Sequence, residues 1–334
     1  MILKNISLLK YNTMSIDITA KYFFAVKNNQ ELEKRSKELS AERILILGGG
    51  SNILFTENFN GYIVKNEILG IEIIEERSDS VKIKAGAGVN WNDFVNWTVD
   101  NNLSGIENLI LIPGTVGAAP VQNIGAYGQE AKDVILSVEA FNFMGFKFTT
   151  FSKADCKLSY RNSIFKNELK NKVIITSVVF DLKKSFMPNL TFPSLTNVLS
   201  QKGVANPTIR QIADTIIEIR TKKLPDYKSI SNCGSFFTNP FLNKNAFEKF
   251  HIQNPEAPFY QHENGYKLSA GWLIEQCGWK GKRIGNVGCY KDHALVIVNY
   301  GGATGQEVLQ FADSIRQSVR DKFKVDLEFE VNVI

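Results

Sequence analysis

The sequence predicts an α+β protein in two halves, and three observations predict it. At 334 residues the chain is too long for one small module, since a domain usually takes about 150 residues. Apolar residues alternate in some stretches, as in strands, and recur every three or four residues in others, as in helices. Between residues 183 and 207 both periods fade while Pro188, Pro193 and Pro207 appear, which marks a boundary region. Composition agrees: 44% hydrophobic and 22% charged residues describe an ordinary globular chain, and 23 Phe residues supply an aromatic core.

In chain order, Gln30–Leu39 is a charged helix candidate. Arg43–Leu47 is a compact apolar strand that runs into Gly48-Gly49-Gly50-Ser51-Asn52. Strand-like runs follow at Gly61–Val64, Ile71–Ile74 and Val81–Ala85. Asn90 can cap a helix whose apolar face is Trp91, Phe94, Val95 and Thr98. Residues 109–130 hold Gly114, Gly117, Gly125 and Gly128 with Pro113 and Pro120, a composition for turns rather than a regular element. Strands resume at Val134–Phe141 and Val173–Leu182.

Beyond the boundary, Thr208-x-x-Gln211 has the form of a capping box, followed by the stripe Ile209, Ile212, Ala213, Ile216. A second stripe, Ala270, Leu273, Ile274 and Cys277, is closed by Gly278. A third helix opens at Thr304-x-x-Glu307 and carries Val308, Phe311, Ala312, Ile315 and Val319. Strict alternation from Val325 to Val333 predicts a final strand with Asp326, Glu328 and Glu330 on its polar face.

Charge and cysteine content narrow the function. Lys and Arg exceed Asp and Glu by 39 − 34 = 5, and the basic residues are scattered, which suits an anionic small molecule better than a nucleic acid. The four cysteines make no C-x-x-C pair and the three histidines stand at no helical spacing, so no metal site is expected. Isolated thiols in a long chain, with no apolar run near the ~18 residues of a spanning helix, lead us to expect a soluble cytoplasmic protein with reduced thiols and no membrane insertion.

Three successive glycines after a strand can turn their N–H groups toward one anion, although a plain tight turn accounts for the triplet alone. A Rossmann turn is disfavoured because G-x-G-x-x-G is absent and Ser51–Phe55 is strand-like. The second glycine-rich segment, from Pro113 through Ala118 and Ala119 to Gly128, changes the balance. Two such segments suggest a long phosphate-bearing cofactor gripped mainly by backbone, with small residues admitting a flat ring. Taken alone, Arg161 reads as a solvated cation, Glu330 as one of three solvated acids, and Ser235 as a turn residue entering a strand. Without a G-x-S-x-G elbow or a readable Ser-His-Asp set, serine nucleophile chemistry is disfavoured. Cys233, with no histidine near it in sequence, reads as a small buried filler.

In combination these segments resemble one family, the UDP-N-acetylenolpyruvoylglucosamine reductases (MurB). The matching pieces are Gly48–Asn52, Ile112–Gly117 with Asn123–Gly128, Tyr160-Arg161, Arg220-x-x-Lys-Leu-Pro-Asp226, Gly234–Phe237, Ala270–Ile274 and Leu327-Glu-x-Glu-Val331, in family order from about residue 17 to 331. The Gln122-Asn-Ile-Gly form and the insertion around Pro188–Leu195 resemble the longer, type I branch. The resemblance implies an FAD-binding domain of the PCMH/vanillyl-alcohol-oxidase type, built of two α+β subdomains, over 16–185. A connecting segment over 186–207 and a C-terminal α+β substrate-binding domain over 208–334 would follow.

It also implies an activity in cell-wall peptidoglycan synthesis. NADPH reduces the bound FAD, flavin N5 passes hydride to the enolpyruvyl ether of a UDP-sugar, and Ser235 donates the proton. Arg161 and Glu330 are the expected polar partners at the substrate carboxylate, where a bare Glu330 carboxylate would repel the forming enolate unless protonated or hydrogen-bonded. Cofactor contacts are expected from Gly48, Gly49, Gly50, Ser51, Asn52, Pro113, Gly114, Thr115, Gly117, Ala118, Asn123, Gly125, Ala126, Tyr127 and Arg220. Substrate contacts are expected from Tyr160, Lys223, Asn239, Tyr260 and Lys267, in a monomer. Phe192 stands where the type I branch commonly has a tyrosine on a mobile loop, so weaker closure over the substrate diphosphate is expected. Other flavin oxidoreductases of the same fold, such as sugar oxidases, and a non-catalytic flavin- or UDP-sugar-binding module are the competing readings.

Overall fold

The computed structural model describes residues 1–40, 42–262 and 264–334. The chain divides into two compact units: unit 1 comprises Met1–Ile6, Ala20–Gly49 and Phe59–Lys222, and unit 2 comprises Ser7–Thr19, Gly50–Asn58 and Lys223–Ile334.

Unit 1 holds two large sheets and the short hairpin Gly125–Ala126 with Gln129–Glu130 among its described residues. A four-stranded sheet runs in the order Ile2–Ser7, Thr19–Val26, Phe59–Asn66, Ile44–Leu47, with the last three strands parallel. The helix Asn29–Ser40 connects two of these strands, and its Leu32 and Leu39 share a core with Phe24, Val26 and Val64. The second sheet is antiparallel, in the order Lys147–Ser152, Ile135–Asn142, Val173–Lys183, Ser80–Gly86, Ile71–Glu76. Its central strand Val173–Lys183 is buried almost throughout, which is why the sequence there is a continuous apolar run. Trp91, Phe94 and Phe180 pack as an aromatic cluster in this larger core, with Phe94 and Phe180 centroids 4.9 Å apart.

The helix starts read from the sequence are realised by their caps. Asn90 accepts the amide of Asp93 at the head of Trp91–Asp100. Thr208 and Gln211 exchange side-chain and backbone bonds before Ile209–Lys223, and Thr304 and Glu307 do the same before Gly305–Phe323.

Two expectations need correction. The stretch 183–207 is not irregular: Pro193–Gln201 is a helix with proline in its first turn, where the missing N–H costs nothing, and Leu195 and Leu199 bury one turn apart. Those two leucines and the stripe Ile209, Ile212, Ala213, Ile216, Ile219 belong to the unit 1 core, and unit 1 runs through Lys222. The final strand is also broken. Residues 328–330 pair with 236–238, through Glu330 N to Phe236 O at 2.9 Å and Thr238 N to Glu328 O at 3.0 Å. The chain then changes partner, and Asn332–Val333 pairs in parallel with Ile53–Leu54. Burial alternates from Val325 to Glu328, and beyond that Val331 alone is buried.

Unit 2 contains a four-stranded sheet in the order Ser231–Ser235, Val296–Asn299, Val287–Cys289, Arg283–Ile284. A three-stranded sheet follows the order Phe241–Leu242, Gly265–Leu268, Phe259–His262. Helices Lys244–Gln253, Ala270–Gln276 and Gly305–Phe323 complete the unit, and Phe236, Phe237 and Phe329 form an aromatic contact set within it. Among the described residues no helix is long and apolar enough to cross a membrane.

Candidate active site

In unit 1 the fold brings the glycine-rich segments into direct contact. A Cβ added to Gly49 would lie 3.0 Å from Gly114 Cα, and one on Gly48 would lie 2.7 Å from Thr115 Oγ1. Lys65 donates to Gly48 O at 2.8 Å, and burial pushes its ammonium below the usual lysine range. Gly117 is pressed on Ala87 as closely: its amide donates to Ala87 O at 2.9 Å, and an added Cβ would stand 2.5 Å from Ala87 Cβ. These glycines allow backbone to approach backbone, which builds a shelf of peptide groups with almost no side chains on it.

The second segment is tied to the arginine turn. Asn123 is fully buried and bonds Ser159 O (3.2 Å), Glu130 Oε2 (3.1 Å) and Lys132 N (2.9 Å) through its side chain. Its side chain therefore holds the loop together. Arg161 occupies the third position of a tight turn closed by reciprocal bonds between Ser159 and Asn162, and its φ of 51° is left-handed. A non-glycine residue there costs about 1 kcal/mol, so the side chain is retained at a price in strain. Its Nη2 donates to Gly125 O at 3.1 Å, Lys166 Nζ donates to its carbonyl at 3.0 Å, and the guanidinium lies 5.5 Å from the Tyr160 ring centroid.

Arg220, in the last turn of its helix, donates to Leu111 O at 3.3 Å and hydrogen-bonds the Tyr127 hydroxyl. Burial pushes the guanidinium below its ordinary value and the Tyr127 hydroxyl above its own, each opposed by the other group. Its Nε is buried without a partner among the described atoms. A half-met buried cation in the unit that carries the glycine shelf fits a phosphate-bearing flavin dinucleotide.

In unit 2, Ser235 ends a strand with a bulge. Asn232 pairs with Val298 and Ser235 with Val296, so β-strand residues 232–235 oppose one residue fewer on the partner. Gly234 takes up the bend at φ +76°, and the Asn232 side chain braces it by accepting Gly234 N at 3.0 Å. Asn232 Nδ2 in turn donates to Ile230 O at 2.8 Å, and Thr13 Oγ1 donates to Asn232 O at 2.6 Å. Sequence reasoning missed Asn232; an asparagine two residues before a glycine is the available signal for such a turn.

The fold brings Ser235 and Glu330 to neighbouring strands, since Glu330 pairs with Phe236. Glu330 is half-buried, whereas Asp326 and Glu328 on the same nominal face are exposed. Asn52 Nδ2 donates to Glu330 O at 3.3 Å, which ties the segment after the glycine triplet to the same place. Cys233 is buried beside them; burial first, then the Glu330 carboxylate, pushes its thiol up to about 12, so it carries no thiolate at neutral pH.

Tyr260 and Lys267 stand directly opposite on adjacent strands, with Phe241 next in the same row, so the three share one sheet face. Asn239 Oδ1 accepts Ala270 N at 3.0 Å and so helps cap that helix. Lys223 is exposed. Arg161 and Tyr160 belong to unit 1, and Ser235, Glu330, Asn239, Tyr260 and Lys267 to unit 2. Phe192 immediately precedes the Pro193–Gln201 helix, and its ring meets Tyr127 edge-on at 5.1 Å.

Residues 225–334 match the model of the UDP-N-acetylenolpyruvoylglucosamine reductase C-terminal domain, and residues 20–145 match an FAD binding domain. A UDP-N-acetylenolpyruvoylglucosamine reductase of Flavobacterium johnsoniae is 46% identical over 332 residues, covering 99% of this chain and 98% of the relative. The chain belongs to the UDP-N-acetylenolpyruvoylglucosamine reductase family. The enzyme of that name from Bacteroides fragilis is 42% identical, with 98% of each chain covered. Among solved structures, the family's MurB from Thermus caldophilus superposes with a TM-score of 0.71 at 23% identity, covering 100% of this chain and 99% of the other, and so shares the fold.

Proposed function

We propose that the chain performs the reaction for which its relatives are named, reducing the enolpyruvyl ether of UDP-N-acetylglucosamine to UDP-N-acetylmuramate with NADPH as the reductant. The end-to-end kinship with these reductases carries the reading. Unit 1, with its glycine shelf and Arg220, chiefly holds FAD; unit 2 chiefly holds the UDP-sugar. Bound FAD, once reduced by NADPH, supplies the hydride.

The chain's own residues manage charge and proton. Hydride addition at the outer carbon leaves negative charge on the alpha carbon and its carboxylate. The Arg161 guanidinium is the fixed donor for that charge, set in advance by its strained turn. Ser235 delivers its hydroxyl proton to the alpha carbon, and the alkoxide left behind regains a proton from solvent. A serine is a weak acid, but a carbanion-like carbon is a strong base, and the Gly234 bulge sets the backbone from which the Ser235 side chain projects. Glu330 is the second polar group at the substrate carboxylate. Tyr260 and Lys267 from their shared face, with Lys223, Asn239 and Tyr160, receive the UDP portion. The enzyme acts as a monomer in the cytoplasm.

Purified protein should be yellow, and NADPH consumption should accelerate when UDP-N-acetylenolpyruvoylglucosamine is added. Flavin that is reoxidised by air as fast as by this substrate would favour a sugar-oxidase type of enzyme. NADPH consumption indifferent to the substrate would refute the reading.

A further inference from the structure

Phe192, Tyr127 and Arg220 form a row in unit 1, and of the three the reaction scheme uses only Arg220, as part of the FAD site. The Tyr127 hydroxyl bonds the Arg220 guanidinium, and the Phe192 ring covers the Tyr127 ring edge-on at 5.1 Å and 73°. Tyr127 pays for its place: its φ of 49° is left-handed, although Gly128 is the next residue. The Phe192 segment is fastened to it. Asn108 Nδ2 donates to both Tyr127 O (2.9 Å) and Asn189 O (3.1 Å), and Asn189 Nδ2 donates to Gly128 O at 2.8 Å. Phe192 is thus packed against the tyrosine.

Arg220 needs such support. Among the described residues burial and Tyr127 are what act on its charge, and no carboxylate does. A guanidinium drawn out of water with a buried, unmet Nε–H is costly unless a ligand completes it. Filling a hole would need only a phenyl ring; the hydroxyl is what reaches the cation.

We propose that Tyr127 is a positioning residue, whose hydroxyl aims the Arg220 guanidinium at an electron-rich oxygen of bound FAD while the Phe192 ring keeps water from the pair. The inference rests on the FAD reading above. The oxygen belongs either to the diphosphate or to the pyrimidine edge of the flavin ring, and both present the same acceptor chemistry.

The test uses the FAD-loaded enzyme and its Tyr127→Phe variant, which keeps the ring contact and removes only the hydroxyl. The FAD dissociation constant and the two-electron midpoint potential are measured together. Loss of a hydrogen bond to a charged group should weaken FAD binding about tenfold. If the oxygen is on the flavin ring, whose charge grows on reduction, the reduced form loses more and the potential falls by about 30 mV per tenfold of difference. If it is on the diphosphate, both forms weaken alike and the potential holds.

An unchanged dissociation constant with an unchanged potential would overturn the proposal, whatever the variant does to the melting temperature. Should Tyr127→Phe fold poorly, Phe192→Leu should move the same readouts in the same direction by a smaller factor, and no movement there would also overturn it. Failure of the wild-type protein to bind FAD at all would instead strike the underlying functional reading.

Discussion

Gly117 in unit 1 and Gly234 in unit 2 each belong to a segment assigned to the site, yet they are glycines for opposite reasons. Gly117 has no room, with Ala87 Cβ 2.5 Å from the position its own Cβ would take. Gly234 has open space and needs only its left-handed φ. The contrast separates two ways of making a site. Unit 1 offers a shelf of peptide groups whose shape is set by packing, so its side chains matter chiefly through the space they leave. Unit 2 offers individual polar side chains on short strands, whose direction is set by a local bend and its asparagine brace.

The largest effect that would sharpen this contrast is expected from Arg161, the charged side chain of unit 1 assigned to the reaction. Arg161→Ala should lower turnover about 10²–10³-fold, as loss of a fixed donor to developing charge does, while shifting the melting temperature little. A variant that loses stability in proportion to activity would show that its bond to Gly125 O is the reason it is there. Gly117→Ala comes next. The added methyl must displace Ala87, and unfolding in urea should show a loss of about 2–3 kcal/mol, in the range of overpacking.

Two buried thiols offer a comparison by pH, one per unit. Burial raises both Cys156 and Cys233 to about 12, with Asp155 and Glu330 respectively adding to it. A thiol whose folded value is raised contributes fully below its unfolded value of about 9, and that contribution is lost as pH climbs toward 12, because only the unfolded chain ionises. At pH 10 each should cost on the order of 1 kcal/mol, so Cys156→Ala and Cys233→Ala should each flatten the alkaline fall in stability. A fall unaffected by either substitution would contradict it. The smallest effect is Gly234→Ala, about 1 kcal/mol of backbone strain with no clash. A loss as large as that of Gly117→Ala would erase the distinction between the two glycines.

The fold was legible wherever a local signal was complete. Asn90, Thr208 with Gln211, and Thr304 with Glu307 each announced a helix through donors that the first turn must satisfy. Pro193 was read as a breaker although it is a good first-turn residue, which hid a helix. The terminal strand failed for a different reason: alternation reports which face is buried but not which neighbour supplies the hydrogen bonds, and residues 328–334 change neighbours midway. Contact between Gly49 and Gly114 was foreshadowed by two glycine-rich segments, but the bulge before Ser235 was not, because its extra residue shows only against the register of Val296–Asn299. Arg161, Ser235 and Glu330 had no distinguishing local feature. Family resemblance singled them out, and the structure supplied the strain, the bulge and the burial that set them apart from ordinary polar residues.

The central claim, that Ser235 is the proton donor, is tested most directly by separating the two half-reactions in Ser235→Ala. Rapid mixing with NADPH should bleach the flavin at the wild-type rate. Subsequent mixing with UDP-N-acetylenolpyruvoylglucosamine should restore the oxidised spectrum about 10²–10⁴ times more slowly than in wild type. Equal slowing of both steps, or reoxidation at the normal rate, would contradict the account.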